Sequence, residues 1–111
     1  MTANAAMTES LDAYLASEVN RVASLVPAAG RFGDRKVFVC ALFAALQTES
    51  LTCEGCDLDD LKAFLVRANR AGLLALARAD LVGAMDQAMV RASQIQHRGA
   101  EFHFVIDRAV A

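Results

Sequence analysis

Residues 57–71, DLDDLKAFLVRANRA, followed by residues 72–77, GLLALA, decide how this chain is read. Asp57 suits a helix N-cap, and Asp59 and Asp60 suit the first turn, where the helix dipole is positive. At 3.6 residues per turn Leu58, Leu61, Phe64, Leu65 and Ala68 share one face, while Lys62, Arg67, Asn69 and Arg70 lie on the other. The spacing therefore predicts an amphipathic helix over 57–71 with a basic outer face. Gly72 suits the C-terminal cap. The run that follows, 73–77, is short enough for a strand, although leucine and alanine are weak strand formers and a continued helix is the alternative.

Towards the C-terminus the period changes. Phe102, Phe104 and Ile106 alternate with Glu101, His103 and Val105, which predicts a half-buried strand over 101–107. Its partner is 93–97, across a turn at Arg98-Gly99. Asp80 or Ala79 starts helical sequence to about Met85, and Asp86 starts another turn, giving a helix over 80–90.

Towards the N-terminus, Asp34 reads as the cap of a helix over 34–48 that is apolar nearly all round, hence a central, mostly buried helix. Residues 28–33, AAGRFG, read as a turn. Thr8 caps a helix over 8–26, with Leu11, Leu15, Val22 and Leu25 recurring at helical spacing, and Pro27 stops it. Residues 1–7 carry no pattern and are expected to be disordered. No repeat or linker divides residues 1–111, so a single domain is expected.

A hydrophobic fraction of 56% with 22% charged residues predicts a folded chain. The longest apolar run, residues 37–46, is far short of the roughly 20 residues that span a bilayer. The N-terminus lacks the basic start and apolar block of a secretory signal, so a cytoplasmic location without a membrane partner is expected. Three cysteines, an odd number, then argue for reduced thiols. The net charge of -2 is unevenly spread: residues 1–60 hold four basic and nine acidic side chains, and residues 61–111 hold seven and four. An anionic partner should meet the C-terminal half.

Cys53-Glu54-Gly55-Cys56, just before a helix, is the motif that could carry chemistry. As a redox dithiol it is opposed by Glu54, Asp57, Asp59 and Asp60, which disfavour a thiolate. As a zinc site it needs two further ligands, for which Cys40, His97 and His103 are the soft candidates. A plain loop is the simplest reading, with no metal or cofactor, and Cys40 reads as a small core residue. His97 and His103 could face each other across the hairpin, but His103 alternates away from the phenylalanine face and reads as solvent-facing. Gly30 and Gly33 precede a helix without the Lys and Ser or Thr of a phosphate loop. Two histidines and no meaningful Ser, His and Asp spacing predict no catalytic residues and no enzyme.

From the buried helix through the 57–71 helix and the Gly72 to Leu74 transition to the Phe102 to Ile106 strand, residues 34–107 resemble a winged-helix domain. The resemblance implies a mainly helical α+β fold, with the 57–71 helix in a DNA major groove and the hairpin tip on the backbone. It departs from that pattern in inserting 80–90 between strands and in needing the N-terminal helix as third core member. The leading expectation is double-stranded DNA binding through Lys62, Arg67, Asn69 and Arg70, with Arg98 on the backbone; the bland alternative is a solvated helix face. Winged helices also serve as protein-interaction modules, so the rival is an adaptor or homodimer that packs Leu11, Leu15, Val22 and Leu25 against a partner. A metal-sensing site at Cys53 and Cys56 is the third expectation.

Overall fold

The apolar run that begins at Val37 enters the fold as a strand and continues as a helix. The computed structural model describes residues 2–51, 55–80 and 82–108. Among them the chain is α+β, with four α-helices and two antiparallel sheets. Helix α1 spans Thr2–Ala23, so it begins before Thr8, and is followed by a 3-10 turn at Ala28–Gly30. Strands β1 (Arg31–Phe32) and β2 (Lys36–Phe38) form a hairpin whose turn is bent by Gly33 at φ +71°. Helices α2 (Val39–Thr48) and α3 (Leu58–Arg70) follow, then β3 (Leu76–Ala77). A 3-10 turn at Val82–Ala84, helix α4 (Gln87–Ser93) and strands β4 (Ile95–His97), β5 (Ala100–Phe102) and β6 (Phe104–Ile106) complete the chain.

The expected helix over 34–48 is therefore corrected at its start: Asp34 sits in a hairpin turn and the helix begins at Val39. A run that is apolar at every position has no period to separate a buried strand from a helix. The tertiary partner decides. Val37 pairs with Val105 and Phe38 with Phe104, which makes β2 and β6 the two central strands of a sheet ordered β1-β2-β6-β3. The 80–90 helix is likewise replaced by a 3-10 turn and by α4, whose cap is Asp86 accepting from the amides of Ala88 and Met89.

Alternation across the sheet produces two cores. Val37 and Val105 face α1, α2 and α3, where they pack with Val22, Leu42, Leu65 and Leu74. Phe38 and Phe104 face the other way, with ring centroids 4.7 Å apart, against Ala79 and Val90. Ser93, at the end of α4, is fully buried and its hydroxyl accepts from the Cys40 amide, satisfying a donor in the first turn of α2.

The terminal strand also departs from expectation. The turn at Arg98-Gly99 forms as predicted, with φ +50° and +82°, the left-handed pair that a two-residue hairpin needs. His97 then pairs with Ala100. At His103 the chain leaves β4 and turns to pair with β2 and β3. The alternation is thereby broken: Phe102 packs on the first core and Phe104 on the second. His103 does not face solvent: it is 5% exposed, its Nδ1 accepts from the Ala79 amide at 3.1 Å, and the residue across the hairpin from His97 is Ala100. Its own amide donates to Ala77 and its carbonyl accepts from Val39.

Arg31 ties the C-terminal end of α1 to the residue that follows β6. Its guanidinium donates to the carbonyls of Ala23, Val26 and Asp34 and to Asp107 Oδ2 at 2.8 Å. It thus serves carbonyls at the end of α1, where the backbone tightens before Pro27, and the buried carboxylate just after β6. Gly30 permits this approach, since a Cβ there would lie 2.6 Å from Val26 and 2.7 Å from Ala41. Arg31→Ala is expected to lower unfolding free energy by about 3–5 kcal/mol, because Asp107 loses its guanidinium inside the protein. Urea unfolding reads this, and adding Asp107→Asn should recover part of the loss.

Candidate functional site

Helix α3 is built as its sequence predicts. Asp57 Oδ1 accepts from the Asp60 amide and Asp60 Oδ2 from the Asp57 amide, both at 2.9 Å, a reciprocal capping box. At the other end Gly72, at φ +76°, lets the Gly72 and Leu73 amides donate to the carbonyls of Asn69 and Ala68. That is the double bond pattern of a glycine-terminated helix. Leu65 and Ala68 are buried, while Asp59, Ala63, Arg67 and Arg70 are exposed.

The five residues expected to meet nucleic acid do not act as one surface. Arg67 is engaged by its own chain: Nε and a terminal nitrogen donate to the two Asp12 oxygens at 2.8 and 3.0 Å, and the guanidinium lies over the Phe64 ring. Asn69 turns inward, its Oδ1 accepting from the Leu76 amide at the start of β3. Lys62 is half-buried in a cleft between α3 and β4, beside Asp59, Val66, Gln96 and His97. Arg70 is exposed on α3, and Arg98 is exposed at the hairpin tip. The first turn of α3 presents Asp57, Asp59 and Asp60, all exposed.

The expected interface residues divide as well. Val22 is fully buried in the protein's own core, which removes it from any intermolecular surface. Leu11 and Leu25 are 56% and 58% exposed, and Leu15 is half-buried. Tyr14, which helical spacing from Leu11 would have found, is 59% exposed. Beside it a groove of about 160 Å³ runs between α1 and α3, its apolar walls including Tyr14, Leu15, Phe43, Leu51, Leu61 and Phe64. Glu18, Asp57 and Asp60 line it too, with no Lys or Arg among its described lining residues.

Cys40 is half-buried and free, its thiol directed to the Met89 carbonyl. Cys56 is disulfide-bonded, which corrects the expectation of reduced thiols, and Cys53 lies outside the described residues. Among the described residues no group of three or more His, Cys, Asp and Glu is arranged to hold a metal ion, and no helix is long and apolar enough to cross a membrane. Comparison of the chain with protein-family models, with curated proteins and with solved structures finds no match.

Two titrating groups report on this architecture. The Arg67 hydrogen bonds hold the Asp12 carboxyl below its ordinary 3.8, partly opposed by burial. The pair therefore stabilises the fold above that pH and is lost as pH falls through the lowered value. Arg67 is more than half exposed, so Asp12→Asn is expected to cost only about 0.5–1 kcal/mol near neutrality. For His103 burial lowers the pKa below 6.5, with Arg78 adding to the shift and Glu101 opposing it. The folded state holds this ring neutral, so stability is complete above 6.5 and declines as pH falls towards the lowered value. The protonated ring also loses the lone pair that accepts from Ala79. Urea midpoints across this range should fall more steeply for the natural protein than for His103→Gln.

Proposed function

We propose that this chain is a non-enzymatic, winged-helix-like module whose role is to bind another protein. The observation that carries the reading is the exposed apolar strip of Leu11 and Tyr14 on α1, continuous with the groove between α1 and α3. Grooves lined by apolar side chains with a few polar groups at the edge are the usual form of a recognition site. The winged-helix likeness draws support from the order of elements: a helix, a two-stranded hairpin, two helices, then β3 and β6, which join that hairpin in one four-stranded sheet. Helix α4 and the β4-β5 hairpin are elaborations of the wing on this reading.

DNA binding is the second reading, favoured by exposed Arg70 on α3 and exposed Arg98 in the tight turn. It is the weaker one on electrostatic grounds. In helix-turn-helix docking the N-terminal part of the recognition helix meets the base edges. Here that part carries three exposed aspartates, Arg67 is paired with Asp12, and Asn69 is used by β3. A cytoplasmic location and a non-enzymatic role follow the sequence expectations and belong to the same proposal.

The test compares the full chain with a Leu11→Glu/Tyr14→Glu variant and an Arg70→Ala/Arg98→Ala variant. Capture of a partner from the native cell is expected to be lost in the first variant and kept in the second, with circular dichroism confirming that both fold. Salt-dependent binding to duplex DNA that disappears in the second variant would decide for the DNA reading instead.

A further inference from the structure

The groove between α1 and α3 combines an apolar floor with carboxylates of one sign. We infer that its occupant is a segment of another protein that presents one large aliphatic or aromatic side chain between lysines or arginines. This rests on the protein-binding reading and names the class of partner.

Size sets the anchor. The groove holds about 160 Å³, and apolar cavities of roughly 150 Å³ accept a benzene ring. One aromatic or branched aliphatic side chain therefore fills it, stacked between Tyr14 of α1 and Leu61 and Phe64 of α3.

Charge sets the flanks. The capping box uses one oxygen each of Asp57 and Asp60 on backbone amides, and among the described residues neither aspartate is in an ion pair. Both carboxylates stay exposed. On the opposite wall Glu18 shares Arg21 with Glu49, at 2.8 and 3.3 Å, so that cluster also keeps a net negative charge. Lys or Arg beside the anchor meets carboxylates on both walls, whereas acidic flanks, phosphodiesters and anionic lipid headgroups meet like charge. A second copy offering its own α1 would bring its Glu18 against the same carboxylates, which disfavours self-association here.

Titrating the isotope-labelled full chain by NMR with three synthetic peptides on one scaffold tests the inference. The first has a phenylalanine anchor and lysine flanks, the second the same anchor and glutamate flanks, the third lysine flanks and an alanine anchor. The first peptide should move the amides of Leu51, Leu61 and Phe64 and bind roughly tenfold more tightly than the second, a margin that shrinks as salt screens the charges. Alanine at the anchor, Tyr14→Ala or Glu18→Gln should weaken it, and Leu25→Ala, away from the groove, should not. Equal or tighter binding of the glutamate-flanked peptide at the same amides overturns the basic partner class and leaves the protein-binding reading standing. No response of these amides to either phenylalanine peptide overturns both.

Discussion

The pairing of Lys36–Phe38 with Phe104–Ile106 is the constraint on which the rest of this structure depends. Two valines of that pair face one way and two phenylalanines the other, so one short ladder organises both cores. It also sets where α2 starts, since the Val39 amide, the first of that helix, donates to the carbonyl of His103 beside β6. The buried Arg31–Asp107 ion pair closes the same junction from the α1 side. Because the guanidinium also serves three carbonyls, four of its five N–H donors are used, and such bonds help to offset the desolvation cost of a buried ion pair.

With α1 tied down at its C-terminal end and packed through Ala16, Val19 and Val22, its outer side stays uncovered. Leu11 and Tyr14 lie there, and the neighbouring groove opens between α1 and the capped start of α3. The same carboxylates that start α3 thus colour the groove. Stability and the proposed recognition meet at that one turn: Asp57 and Asp60 satisfy orphan amides and leave a rim of carboxylates.

Local signals were the legible ones. Asp57, Asp60 and Gly72 mark both ends of α3 through contacts within a few residues, and Arg98-Gly99 specifies its turn through backbone conformation alone. Features set by distant partners were not. Val37 and Phe38 carry no period that separates strand from helix, and it is pairing with β1 and β6 that makes them a strand. His103 is at an outward position of an ideal strand, and it is buried because the chain changes pairing partner there. Arg67 occupies the polar face of its helix as expected, yet Asp12, 55 residues earlier, captures it. Of the proposed binding surface, Leu11 and Leu15 could be read from helical spacing, whereas Leu51 and Phe64 join them only in the folded chain.

Solution NMR of the backbone at Lys36, Val37 and Phe38 tests the central claim most directly. Extended-backbone chemical shifts are expected at these three residues, with cross-strand proton contacts between Val37 and Val105. Helical shifts running continuously from Asp34 into α2, with no contact between Val37 and Val105, would contradict it.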